Sequence, residues 1–423
     1  MKFIFQNYNF DSEIGRAAFN YRFENGQDFT ETIDFRIPDV KNYDEKVLAR
    51  VLQLAFVLIG VSYWKTFGGS EVKLPFALDT MQASFFNATY QEGMGQYAFE
   101  NNLTRDDLAH FVATADDNRA AMKYDGAGIL ALQSGGKDSL LVASLLKRQN
   151  ATFTPFFVAN SDHHPAVLDE LGELVIAKRH IDREKLQQAL DNGAKNGHIP
   201  VTYITESLAL IQAILLNKKR ILVSIGHEGV EPHTYVGDLA INHQWSKTWE
   251  AEQLFSRYVH DYVSPDIEIG SPIREYSELK IAELFANYAW AEFGHKFSSC
   301  NIENYRQNTD NSILKWCGNC PKCANAYLIF APFVEPVELK NLFDGQDLLI
   351  EESLHDSFKG LLGVDDVMKP FECVGEVDEL RAAYQMTEQK GGYGKLPFDV
   401  PQSNFDYNQT YEHNDILAVT KHE

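Results

Sequence analysis

Two groups of residues in this sequence have the types and spacings that chemistry requires. The first is Ser134-Gly-Gly-Lys-Asp-Ser139. Ser134, Gly135 and Gly136 turn the chain with residues that let a ligand approach the main chain closely. A helical pattern then runs to Arg148, with Asp138 and Ser139 in its first turn. Free N–H groups at that helix start suit an anion such as phosphate. The spacing matches neither G-x-x-x-x-G-K-[ST] nor G-x-G-x-x-G. The second group is Cys317-Gly-Asn-Cys-Pro-Lys-Cys323, with Cys300 sixteen intervening residues upstream. Four thiolates so spaced close a tetrahedral zinc site, structural because no position stays open for water. An iron–sulfur cluster is the rival occupant.

The glycine loop resembles the SGGxDS loop of the ATP pyrophosphatases, the PP-loop enzymes, which split ATP between its α and β phosphates. The resemblance implies a pyrophosphate cradle of Ser134, Gly135, Gly136, Lys137 and Ser139, with Asp138 on the magnesium side. It also makes Asn160, after the next strand, a candidate for the nucleotide base.

The elements that must position these groups follow from hydrophobic period. Ile129 to Leu132 is an unbroken apolar run, as in a strand buried on both faces. Strands are expected at Thr152–Ala159, Glu173–Ala177 and Arg220–Gly226, with a helix near Glu206–Leu216. Such alternation predicts a doubly wound parallel sheet with ligands at the carboxyl ends of its strands. That rule gathers the glycine loop, Asn160-Ser-Asp162, Lys178-Arg179 and His227-Glu228 around one crevice. Ahead of it, Phe3 and Phe5, then Phe19, Tyr21 and Phe23, then Ile33, Phe35 and Ile37 alternate at period two, predicting a three-stranded antiparallel meander. A helix from Asp44 to Ile59 follows. The expected class is α/β: a PP-loop doubly wound sheet at 126–295, an N-terminal α+β domain at 1–125, a zinc-knuckle and helical region at 296–385, and a tail at 386–423.

Further candidates are single residues. Asn242, His243, Ser246 and Lys247 lie in a polar, aromatic stretch without clear period and suit a substrate pocket, with a solvated loop as the alternative. Arg274, in Ser271-Pro-Ile-Arg-Glu-Tyr-Ser277, is suited to hold phosphate or carboxylate. Cys373 is the cysteine left over once four bind metal. It stands between carboxylates, in Phe371-Glu-Cys-Val-Gly-Glu376, which suits a proton donor better than a nucleophile. A small buried hydrophobe is the alternative reading.

The chain of 423 residues has a net charge of −22. A surface so acidic repels a phosphate backbone, which argues against nucleic acid as partner. The basic clusters Lys178-Arg-His180 and Lys218-Lys-Arg220 read as solvated helix ends. No signal peptide is seen, and the most apolar segment, Val51 to Trp64, is shorter than a membrane span. A cytoplasmic enzyme with no membrane partner is expected, whose five cysteines favour metal over disulfides.

Across nearly the whole chain the sequence resembles the MurL family. The likeness is carried by Phe3 to Phe35, Gly60-Val-Ser-Tyr-Trp-Lys65, Gly135-Gly-Lys-Asp-Ser139, Asn242-His-Gln-Trp-Ser-Lys247, Ser298-Ser-Cys-Asn301, Trp316-Cys-Gly-Asn-Cys-Pro-Lys-Cys323, Ala331-Pro-Phe333 and Phe371-Glu-Cys-Val-Gly-Glu376. The resemblance implies an ATP-dependent epimerase of UDP-N-acetylmuramoyl-L-alanyl-L-glutamate in peptidoglycan precursor synthesis, using ATP, Mg2+ and structural zinc. Its substrate would come from an upstream ligase that adds L-glutamate. Asp138, Lys137, Cys373, His243 and Lys247 are then the catalytic candidates. An adenylating, amide-forming enzyme like the 7-cyano-7-deazaguanine synthases, which share the loop and a four-cysteine zinc site, is the alternative.

Overall fold

The computed structural model describes residues 1–39, 41–116, 121–306 and 312–416. Its described strands are β1 (Phe3–Asp11), β2 (Arg16–Phe23), β3 (Asp28–Asp34), β4 (Val72–Lys73), β5 (Ile129–Leu132), β6 (Phe153–Ala159), β7 (Val175–His180), β8 (Arg220–Leu222), β9 (Thr234–Val236), β10 (Leu239–Ile241) and β11 (Glu268–Gly270). Nine of them form one sheet in the order β11-β8-β5-β6-β7-β3-β2-β1-β4, and β9 and β10 make a separate hairpin. The run from β11 to β7 is parallel, so the molecule is α/β with a large, parallel-rich sheet.

Alternation along β5 explains why both faces are covered. Leu130 packs with the helices Glu45–Trp64 and Val201–Leu215. Ile129 and Ala131 pack with Lys137–Arg148 and Glu278–Tyr288 on the other face. The helix Glu45–Trp64 starts on Asp44, whose carboxylate accepts from the N–H groups of Lys46 and Val47. It is 20 residues long with a mean hydropathy of 1.8, long enough to cross a membrane, but 83% of its apolar window is buried inside the protein. Gly60 lets it lie on the meander, since a Cβ there would meet Phe5 at 2.5 Å. Each large apolar side chain it buries contributes about 1.5–3 kcal/mol.

The expected three-stranded antiparallel meander forms, with Phe3 opposite Phe23 and Phe5 opposite Tyr21. It does not stand as a separate sheet. β3 pairs antiparallel with β7, Thr32 to His180 and Asp34 to Lys178, so the sheet runs across the boundary expected at residue 125. A buried ion pair reinforces the junction: Arg179 Nε donates to Glu31 Oε1 at 2.5 Å, and Tyr63 OH donates to Glu31 Oε2 at 2.7 Å. Lys178 and Arg179, expected beyond the end of their strand, lie inside it. The boundary placed at residue 385 falls within the helix Val377–Lys390.

Candidate active site

The glycine loop joins the end of β5 to the helix Lys137–Arg148. Gln133 N–H donates to Phe156 O at 2.8 Å, continuing the ladder to the turn. Gly135 has φ +79°, and a Cβ there would strike Leu314 at 2.6 Å. Ser134 and Ser139 draw the loop closed: Ser134 N–H donates to Ser139 Oγ at 3.2 Å, and Gly136 N–H donates to Ser134 Oγ at 3.3 Å. No side chain caps the helix start, leaving its first amides available to an anion.

Lys137 and Asp138 face a narrow cavity of about 50 Å³, also lined by Glu228, Lys247, Glu278, Cys373, Trp316, Lys322 and Asn325. Several segments converge there: the glycine loop, the chain after β8 with Glu228, the segment after the β9–β10 hairpin with Lys247, the start of the helix Glu278–Tyr288, the chain around the cysteine cluster, and the loop that carries Cys373. Lys137 Nζ lies 2.6 Å from both Asp138 Oδ1 and Glu278 Oε2. Lys247 Nζ lies 3.1 Å from Glu228 Oε2, which also accepts from Gln244 Nε2 at 2.6 Å.

Lys137, Glu228 and Glu278 are buried, so the charges here act on one another strongly. Burial disfavours both ammonium groups, yet Asp138 and Glu278 hold Lys137 above its usual value, and Cys373 and Glu228 do the same for Lys247. Burial opposes the charged Glu228, but Lys247 and Lys137 prevail and keep it below the usual carboxylate range. Glu278 is pushed up to about 7, because burial with Asp138 and Glu228 beside it outweighs Lys137. A carboxyl group that exchanges its proton near neutrality suits acid–base work.

Two buried carboxamides fix the Cys373 loop. Val374 N–H donates to Gln244 Oε1 at 3.3 Å, and Gly375 N–H donates to Asn325 Oδ1 at 3.0 Å. Asn325 lies on the helix Pro321–Phe330, which also carries Cys323.

The four cysteines meet at the N-terminal end of this helix, their Sγ atoms all within 4.8 Å of one another. Cys300–Cys320, Cys317–Cys323 and Cys320–Cys323 are separated by 3.8, 3.7 and 3.5 Å. A tetrahedral ion with metal–sulfur bonds of about 2.3 Å needs sulfurs about 3.8 Å apart. The set fits one such ion. Thiolates on different irons of a cluster need a wider cage.

Several expected residues lie elsewhere. Arg274 is fully buried and engaged within the fold: Nε donates to Glu252 Oε2 at 2.9 Å, and Nη1 donates to Gly226 O at 2.6 Å and Lys247 O at 2.8 Å. It holds the Lys247 backbone. His243 does not line the cavity; its Nδ1 meets Gln96 Oε1 at 2.6 Å and its ring lies 4.1 Å from that of His198. Asn160 lines a separate depression with Lys178, His180 and Arg183, and its carbonyl accepts from Arg183. His227 stacks on Tyr411 with ring centres 3.4 Å apart, while Glu228 faces the cavity. Glu278, Gln244, Trp316, Lys322 and Asn325 were not singled out as site residues by sequence reasoning. Position offered one signal, since Lys322 stands between two of the clustered cysteines.

Residues 1–271 match the MurL N-terminal domain and residues 296–399 the MurL C-terminal domain. Proteins named UDP-N-acetyl-alpha-D-muramoyl-L-alanyl-L-glutamate epimerase, from a Micromonospora species and from Salinispora tropica, are 33% and 32% identical over 404 and 402 residues. Each alignment covers 93% of this chain, and 88% and 86% of the relative. One of the same name from Xanthomonas oryzae pv. oryzae is 31% identical over 388 residues, 90% of this chain and 84% of its own.

Proposed function

The chain belongs to the MurL family, and from that premise we propose that it inverts the terminal L-glutamate of UDP-MurNAc-L-Ala-L-Glu through an acyl-adenylate. One observation carries the reading. The glycine-loop residues Lys137 and Asp138 share a single cavity with Lys247, Glu278 and Cys373. Phosphate-handling and proton-handling groups thus face the same reacting atoms.

The chemistry accounts for that union. An α-proton beside a carboxylate is hard to remove, because the carbanion would adjoin a full negative charge. Attack of the carboxylate on the α-phosphorus of ATP releases pyrophosphate and gives a mixed anhydride. Its carbonyl can delocalise the carbanion. Proton removal, reprotonation on the opposite face and attack by water then yield the D-glutamyl product and AMP. The loop amides and Lys137 would receive the phosphates, with Asp138 holding magnesium. Cys373 and Glu278 carry protons at Sγ and at the carboxyl oxygen, and Lys247 steadies negative charge beside them. The cysteine cluster holds zinc as a structural ion, fixing Asn325 and through it the Cys373 loop.

The test is incubation of the protein with ATP, magnesium and UDP-MurNAc-L-Ala-L-Glu. The expected products are AMP, pyrophosphate and D-glutamyl dipeptide without added ammonia or amine. A requirement for an amine, with its incorporation into product, would instead indicate the amide-forming reading.

A further inference from the structure

We infer that the wall of the cavity built by the cysteine cluster is the subsite for the second, unactivated carboxylate of the substrate's terminal residue. The inference rests on the adenylation reading and deepens it.

The charges around the cavity are unevenly matched. Lys137 is paired with Asp138 and Glu278, and Lys247 with Glu228. Lys322 also lines the cavity, and no acidic partner is seen for it among the described residues. Trp316 lines the same cavity, and its Nε1–H is buried with no acceptor. A buried donor without a partner costs about 1–3 kcal/mol, so an indole N–H left so placed points to an acceptor that arrives with a ligand. Both donors come from one element. Trp316 precedes Cys317, and Lys322 lies between Cys320 and Cys323 in the first turn of the helix Pro321–Phe330. A metal ion held by those cysteines would fix both donors against the opposite, acidic wall.

A cation and a neutral N–H donor that line one cavity suit a ligand with two acceptor oxygens, such as a carboxylate. Phe297, Ala326, Ile329 and Phe330 also line the cavity, with Ser299 and Asn325 the polar residues among them. An anion at the end of a short methylene arm matches that combination, the arm against the apolar side chains and the charge on Lys322 and Trp316. A terminal glutamyl residue has this shape. It also carries two carboxylates, of which only the α group is to meet the glycine loop. Holding the γ group on the far wall prevents its activation and sets the α-carbon between Lys137 and Cys373.

The experiment compares UDP-MurNAc-L-Ala-L-Glu with its L-Gln counterpart, reading kcat and KM for AMP release in wild type, Lys322→Met, Lys322→Arg and Trp316→Phe, with metal content measured in each. Lys322→Met is expected to raise KM for the glutamyl substrate about 100-fold and to change the glutaminyl substrate little, so that the preference collapses. Lys322→Arg restores most of it. Trp316→Phe keeps an aromatic ring while removing the N–H donor together with part of the indole, and raises KM for the glutamyl substrate about 10-fold, with the glutaminyl substrate as the control for the lost packing; it decides the case if Lys322→Met loses its metal. Equal losses on both substrates, or an unchanged KM for the glutamyl one, would overturn the assignment. If wild type releases no AMP at all, the adenylation reading fails on its own. Titration calorimetry with the glutamyl nucleotide then tests the subsite, about 100-fold weaker binding by Lys322→Met supporting it and equal binding overturning it.

Discussion

Asn325 accepts a hydrogen bond from the backbone N–H of Gly375 at 3.0 Å. The contact joins the helix that carries Cys323 to the loop that presents Cys373, so the cysteine cluster and the proposed proton carrier are mechanically one unit. Removing metal from the cluster is therefore expected to slow exchange of the glutamyl α-hydrogen and to lower the melting temperature together. The protein should contain one zinc per chain; iron with visible absorbance, or no metal, would count against the assignment.

The loop residues should act before any proton moves. Asp138→Asn and Ser139→Ala are each expected to reduce pyrophosphate release by about 100-fold or more, with an unchanged circular-dichroism spectrum. Normal turnover in both variants would remove the loop from phosphate handling.

Cys373 should act after adenylation. Cys373→Ser is expected to leave ATP cleavage to AMP largely intact while slowing incorporation of solvent deuterium at the α-carbon. Wild-type exchange in that variant would reduce Cys373 to a packing residue.

Stability should fall as pH rises from about 5 to about 7. Glu379 is buried and accepts Leu279 N–H at 2.6 Å, and burial pushes its carboxyl up to about 7, with Glu278 adding to the effect. In the unfolded chain the group ionises near its ordinary value of 4.5. Below that pH both states hold the proton and nothing is gained or lost. Between 4.5 and about 7 only the unfolded state releases it, and up to about 3 kcal/mol of stability disappears. Denaturant titrations at pH 5 and pH 7.5 measure the loss, which Glu379→Gln should reduce.

The junction of the meander with the parallel strands rests on Glu31 and Arg179, both buried. Glu31→Ala leaves a guanidinium without its carboxylate and is expected to cost about 3–5 kcal/mol. The double variant Glu31→Leu, Arg179→Met should recover much of that loss in the same denaturation measurement.

What was legible in the sequence was local. Ile129 to Arg148 announces a strand, a glycine turn and a helix within twenty residues, and the cysteine spacing announces a metal-sized cluster. The meander's alternation gives its own register but says nothing about which strand lies beyond Thr32–Asp34, because the pairing to Lys178–His180 is remote in sequence. Arg274 was misplaced for a related reason. An arginine suited to phosphate looks the same as one that meets Glu252 and two carbonyls until burial is known. Glu278 reads as an ordinary acidic residue in a helix's first turn; only its burial, with Asp138 and Glu228 beside it and against the pull of Lys137, pushes its carboxyl up to about 7. In Asn242-His-Gln-Trp-Ser-Lys247 the sequence offers His243 and Lys247 alike; Lys247 touches Glu228, as does Gln244, which the pattern does not mark, whereas His243 meets Gln96.

The central claim is that ATP is consumed to make the glutamyl α-proton removable. It is tested most directly by incubating the wild-type protein with UDP-MurNAc-L-Ala-L-Glu in deuterated water, with and without ATP, and following deuterium at the α-carbon by mass spectrometry alongside AMP. The account predicts deuterium only when ATP is present, with AMP and no ADP formed. Exchange without ATP, or release of ADP and phosphate, would contradict it.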